Sequence, residues 1–445
     1  YRMSGSRIKE SSTLLAEEAG SLYDWVSDTI GIPHDIRYTT GDEKRRIPQI
    51  EHELRGYLGV VILQCMKGLD FIKEEDKLRG GNFFFTHPTT KRPEWYIHNG
   101  PYLFQGEFDQ HNRLRFKRVR VPYINGHYFQ LTMDSVEEES EMTWSDFAVD
   151  EDNLNMELLP LQETIERNHR ILSNCFNFKE GNTAIIGAVY LAYHSIYSIF
   201  NRLIFIHVTG ETSSGKSRFG EGILGGRVNK NIKLVDSVIN LSNYSEAGVR
   251  QASHNRNLTV TLDEFEDTGK NDEKSVTIRK ILEVIRPAEN KARTVKGTPG
   301  GTAKFYIMYC PIVMMGIRPF SEAMDINRTL RFTMNKISGF QDVEVTMYKM
   351  FTPEDIIQLR HSNHITPMRE SQRILKMYKK INDELGSSGS TYRGIPYRTL
   401  GQLIILAAIY ATAYGESIEH AKQFIDFYVD DRQDDLVEVS EVGHT

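Results

Sequence analysis

The sequence predicts an α/β protein: a parallel sheet flanked by helices, preceded by an α+β region and followed by a helical lid. Three observations predict it. An apolar run at 203–208 leads into G-x-x-x-x-G-K-S, from Gly210 to Ser217, and then into a helical pattern. A second run at 258–262, LTVTL, ends in the paired carboxylates Asp263 and Glu264. Between 200 and 335 short apolar runs and helical patterns succeed one another as strands and crossover helices do.

The glycine-rich stretch carries the chemistry. Gly210, Glu211, Thr212, Ser213, Ser214 and Gly215 form a loop whose backbone N–H groups wrap a phosphate chain without a Cβ in the way. The helix opening at Lys216, Ser217 and Arg218 adds the partial positive charge of its N-terminus. In such a loop Lys216 reaches the β- and γ-phosphates and Ser217 ligates Mg²⁺, so ATP with Mg²⁺ is the expected ligand. A buried strand ending at Asp263 suits a Mg²⁺-ordering carboxylate, and Glu264 is expected to polarise the attacking water.

Composition sets the frame. With 26% charged and 40% hydrophobic residues the chain is of ordinary globular type, and 445 residues exceed one core. The expected division is an N-terminal region at 1–150, a helical collar at 151–200, the phosphate-binding core at 201–335, and a helical lid with an acidic tail at 336–445. A net charge of -6 gives no global basic signature, so any nucleic-acid contact has to come from local patches. Cys65, Cys175 and Cys310 lack metal-ligand spacing, which argues for a reducing compartment and against zinc. The uncharged stretches 183–200 and 403–413 read as buried helices rather than membrane spans. No signal-peptide pattern is visible and a cytoplasmic location is expected; Tyr at position 1 is what a fragment of a longer chain would show.

In chain order, helices are predicted at 11–30 and 50–66, with a solvated charge cluster at 42–46. From 81 to 133 the texture is β, punctuated by the hairpin signals Asn99-Gly100 and Asn125-Gly126. The most basic strand, RLRFKRVR at 113–120, suits either a phosphate backbone or a solvated face. An acid-rich connection at 134–157 precedes two helices in 158–200. After the phosphate loop come a short strand at 232–235, a helix capped near Asn243 and Glu246, and a helix at 275–286 that buries Ile278, Ile281, Leu282 and Ile285. A β-hairpin with its turn at 298–301 carries Lys291, Arg293, Lys296 and Lys304 on its arms. Strands at 312–316 and near Phe332 follow, and Thr366-Pro367 reads as the start of a lid helix that Gly386 stops. Arg398 reads as a surface residue near a helix start, with a sensor role as the alternative, and the tail after Asp426 is expected to fray.

This order of parts, from phosphate loop through Asp-Glu strand, helix and basic hairpin to strand and Arg-containing segment, resembles the AAA+ ring ATPases of the pre-sensor hairpin group. Superfamily 3 helicases and the primase-associated replicative helicases of phages and mobile elements are the nearest in pattern, over about residues 200–335. The resemblance implies an ATP-driven, homo-oligomeric, hexameric ring on single-stranded or forked DNA, with a primase domain or protein as a candidate partner, in a bacterial host's cytoplasm. The hairpin would line the channel and grip DNA through Lys296, with Lys304 second and Arg293 nearby. Arg328, or alternatively Arg331, would be the finger that completes a neighbour's site. The family's usual polar residue after the hairpin strand is absent: the chain reads Met314-Met315-Gly316-Ile317-Arg318, which leaves the sensor role to Arg318 or to nothing. The alternatives are a nucleotide-switched replication initiator, or a packaging or remodelling ATPase without processive unwinding.

Overall fold

The computed structural model describes residues 3–4, 7–8, 77–99, 102–111, 113–119, 123–124, 127–129, 142–143, 151–224, 232–236, 238–242, 244–266, 273–297, 303–320, 322–336, 342–386 and 392–432. The helices predicted at 11–30 and 50–66, the charge cluster at 42–46, Asn243 and the turn at 298–301 lie outside these residues.

Four strands, β1 (Gly80–Thr86), β2 (Pro93–Asn99), β3 (Tyr102–Phe108) and β4 (Leu114–Val119), form an antiparallel meander, with Asn99 paired to Tyr102 across the predicted hairpin turn. After β5 (Met142–Thr143) come α1 (Leu161–Cys175) and α2 (Thr183–Tyr193). The core then runs β6 (Phe205–Gly210), the wide π-type turns α3 (Arg218–Leu224), β7 (Val238–Leu241), α4 (Glu246–Ser253), β8 (Arg256–Asn257) and β9 (Thr259–Leu262). It continues with α5 (Glu273–Ala288), the hairpin β10 (Arg293–Gly297) and β11 (Ala303–Ile307), β12 (Ile312–Gly316) and β13 (Leu330–Met334). Four longer helices close the chain: α6 (Pro353–Arg369), α7 (Ser371–Leu385), α8 (Tyr397–Ala413) and α9 (Ile418–Asp430).

Among the described residues, the core sheet has the order β13-β6-β12-β9-β7-β5, parallel throughout except for β5, which pairs antiparallel with β7. Every residue of β6 is buried, as a central parallel strand covered on both faces requires. The helices predicted as buried are so: nearly all of α2 and of α8 is shielded from solvent.

The N-terminal meander shares this core. Trp95, Ile97, Phe104, Leu114 and Phe116 belong to the same apolar cluster as the parallel sheet and the C-terminal helices. β8 pairs parallel with β1, and the Trp95 indole donates to the Ser371 hydroxyl at 3.3 Å. Asn155 clamps the free side of β4, accepting from the Phe116 amide at 2.8 Å and donating to its carbonyl at 2.7 Å.

Four local expectations need correction. The strand predicted at 232–235 is β7, further on; Leu234 instead donates to the Ile223 carbonyl, and Lys233 and Asp236 form a buried ion pair at 2.9 Å. The cap of α4 is Ser245, whose hydroxyl accepts from the Gly248 amide. Thr366-Pro367 ends α6 rather than opening a helix: α6 starts at the capping box of Thr352 and Asp355 with Pro353 in its first turn, and α7 begins at Ser371. The chain after Asp426 stays helical to Asp430, because Arg393 bonds Asp426 and Asp430 and Asp431 accepts from the Asn182 amide.

Candidate functional site

The carboxyl ends of β6, β9 and β12 converge, the position where open parallel sheets bind ligands. Gly210 leaves β6 at φ 155°, and Ser213 and Gly215 take φ 67° and 96°. A Cβ on Gly210 would stand 2.4 Å from the Met334 carbonyl oxygen, so only glycine fits where the chain leaves the sheet. Glu211, Thr212 and Ser213 form the exposed rim, Ser214 is buried, and Arg218 opens α3. The helix is drawn tightly onto the sheet by Gly220, where an added Cβ would meet the Met315 thioether.

Lys216 folds back over its own loop, donating to the carbonyls of Gly210 at 2.6 Å and Glu211 at 2.9 Å. Those are contacts that phosphate oxygens replace when the loop holds a phosphate chain. Partial burial pulls the Lys216 ammonium below its ordinary pKa, while the charges of Glu266 and then Asp263 act in the opposite sense. Ser217 donates its hydroxyl to Asp263 at 3.2 Å. These donors fit a nucleoside triphosphate with Mg²⁺: Ser217 and Asp263 would hold the ion, which would neutralise phosphate charge, and the loop amides would cradle the phosphates.

The two carboxylates of the Asp-Glu pair part company. Asp263 accepts from the Glu264 amide at 2.8 Å, and its carbonyl accepts from the Tyr244 hydroxyl at 2.8 Å. Glu264 adopts φ 51°, and its side chain, 75% exposed, pairs with Lys274 at 3.1 Å. A third carboxylate, Glu266, accepts from the Ile317 amide at 2.7 Å across the end of β12. Burial, and then the charges of Asp263, Glu264 and Glu266, push the Tyr244 phenol well above its ordinary range. Beneath them His207 of β6 is buried, stacks on Phe320 at 3.9 Å between ring centroids, and is held neutral, its pKa pulled down to about 3 by burial and then by Arg331.

The two finger candidates lie apart. Arg331 is on β13 in register with His207. Arg328 precedes β13 at the opposite edge of the sheet, roughly 20 Å from the phosphate loop at about 3.3 Å per strand residue along β6. It lies 3.5 Å from the buried Glu289 carboxylate, which Arg202 also approaches at 3.6 Å. Desolvation raises the Glu289 pKa, opposed by Arg202 and Arg398. Arg398 is exposed at this same edge, its carbonyl accepting from Arg202 at 3.4 Å.

Lys296 and Lys304 occupy directly paired positions of the hairpin, and Arg293 pairs with Ile307 at its base. The basic strand β4 already has partners in its sheet: Lys117 pairs with Glu107 at 3.0 Å, and Arg118 lies over the Tyr102 ring at 4.8 Å. Among the described residues no helix is long and apolar enough to cross a membrane.

From the sequence Glu266 stands only as the alternative to Glu264 for the catalytic carboxylate, and His207, Tyr244 and Glu289 are not singled out at all. A signal existed for the first: Phe265, a lone aromatic between two glutamates, marks a buried anchor that sends its neighbours in different directions. Compared with known proteins, the chain matches no family model and no curated protein sequence.

Proposed function

We propose that this chain is an ATP-hydrolysing motor of the AAA+ pre-sensor hairpin type, which assembles into a ring, translocates on DNA and unwinds it during replication of a phage or mobile element. One observation carries the proposal: the strand order β13-β6-β12-β9-β7 sets Lys216, Ser217 and Asp263 together at the carboxyl edge, with the Ser217 hydroxyl 3.2 Å from Asp263. The hairpin between α5 and β12 supports the choice of nucleic acid. Its paired positions 296 and 304 are both lysines, and an ammonium is a point charge suited to successive phosphates rather than to base edges. Val295, the neighbour of Lys296 in β10 and so on the other face of the hairpin, is 60% exposed.

The chain's own groups divide the work. Loop amides and Lys216 hold the phosphates, Ser217 and Asp263 order the metal, and Arg328 or Arg331 of a neighbouring copy would meet the transferred phosphoryl group. The test is displacement of a labelled strand from forked DNA beside an ATPase assay. The parent is expected to unwind with ATP, Lys216→Ala to lose both activities, and Lys296→Ala to keep ATPase while losing unwinding. A parent that hydrolyses ATP but displaces no strand would favour the initiator reading instead.

A further inference from the structure

We propose that Glu266, rather than Glu264, is the carboxylate that takes the proton from the attacking water, its place set by the missing side chain at Gly316; this rests on the ATPase reading above. The chain turns sharply after β9. Asp263 stays with Ser217, and Glu264, in the left-handed region at φ 51°, turns out to Lys274. A non-glycine residue in that region carries strain that the surroundings must hold, and such strain concentrates at working sites. The kink has a consequence for the residues that follow. The Phe265 amide donates to the Met315 carbonyl at 2.7 Å and its ring is buried between Tyr244 and Phe320. Glu266 is thereby returned over the sheet at the end of β12.

Gly316 makes room for it. A Cβ there would stand 2.5 Å from the Phe265 carbonyl oxygen, 3.3 Å from the Glu266 Cγ and 3.4 Å from the His207 Nε2. A side chain at 316 would crowd that spot, and the Glu266 side chain, from the loop after β9, passes beside it. Gly316 is in register with Thr209, the residue before Gly210, so Glu266 lies beside the strand that feeds the phosphate loop. One oxygen, Oε1, accepts from the Ile317 amide, which fixes the side chain; Oε2 has no hydrogen-bond partner among the described residues.

The chemistry balances on this one group. The free oxygen of Glu266 accepts a proton from a water molecule as the water oxygen bonds to the γ-phosphorus of ATP. The bond from that phosphorus to the β–γ bridging oxygen breaks and its electron pair leaves with ADP. Inorganic phosphate is the second product, and Glu266 returns its proton to solvent.

The experiment compares Glu266→Gln with Glu264→Gln in the full chain, reading turnover with Mg·ATP and affinity for a fluorescent ATP analogue. Glutamine at 266 still accepts from the Ile317 amide and keeps the volume, so a purely structural role survives the change. Glu266→Gln is expected to bind the analogue like the parent and to turn over more slowly than Glu264→Gln, by on the order of a hundredfold, the usual scale of a general base. Glu264→Gln as the slower variant, or equal rates for the two, would overturn the inference while an inactive Lys216→Ala leaves the ATPase reading standing. A parent that neither binds nor hydrolyses ATP would remove both.

Discussion

Gly316→Ala adds one methyl group where the structure has none to spare. Its Cβ would start 2.5 Å from the Phe265 carbonyl oxygen, whereas carbon and carbonyl oxygen ordinarily approach no closer than ~3.3 Å, so that peptide must retreat by roughly 0.8 Å. The Phe265 carbonyl belongs to the peptide that carries the Glu266 amide, so the retreat moves Glu266 and pulls at the adjoining bond from the Phe265 amide to the Met315 carbonyl, 2.7 Å long. Losing it costs about 1 kcal/mol and overpacking about 1–3 kcal/mol, against ~0.5–1 kcal/mol regained by replacing a strand glycine. The net expectation is a loss of about 1–3 kcal/mol, measured by urea unfolding. Turnover should drop as well, by on the order of a hundredfold if Glu266 moves with its backbone by about 1 Å. A variant with the parent's unfolding midpoint and the parent's turnover would refute the close seating of Phe265 on β12. A destabilised variant with full turnover would show that the position of Glu266 is immaterial to hydrolysis.

Two further outcomes are expected. Burial holds His361 and His364 at about 4 and His194 at about 3, so between pH ~6.5 and ~4 the unfolded chain takes up protons that the native one refuses, and stability falls with acid. Asp236, held well below its ordinary range with the opposing charge of Lys233 as the main lowering influence, extends the loss at lower pH; a melting temperature flat from pH 7 to pH 4.5 would contradict the burial of these rings. Arg328→Ala should leave nucleotide binding intact and lower turnover by on the order of a thousandfold, and mixing it with Lys216→Ala subunits should recover activity through rebuilt shared sites. Activity that stays lost on mixing argues that Arg328 serves Glu289 within its own subunit.

Much of the core was legible because its signals are local. The strand-loop-helix at Gly210 to Ser217, the strand running into Asp263 and the one-sided apolar stripe of α5 each follow from a short window of sequence. What escaped depends on distant partners. Residues 232–235 look like a strand by composition, yet a buried ion pair and a bond to Ile223 take that backbone elsewhere. Asn363 and Asn168 bond each other at 2.6 Å across 195 positions, and no window displays that pairing. Glu264 and Glu266 differ in direction by one positive φ that the residue type at 264 does not announce.

The hairpin has a mechanical consequence through the way it is rooted. The Asn255 amide donates to the Ile307 carbonyl at 3.1 Å, and the Ile307 amide donates to the His254 ring at 3.2 Å. The next two residues are β8, whose pairing with β1 is reinforced by the Arg79 amide on the Asn255 carbonyl at 2.9 Å. The base of β11 and the first strand of the N-terminal meander are thus stitched to the same four residues, 254–257. A displacement of the hairpin cannot be absorbed by hinge bending there without breaking these hydrogen bonds. A push applied at the hairpin would therefore reach the N-terminal sheet as a rigid-body displacement, and in the motor we propose that sheet would be a transmission element rather than a passenger.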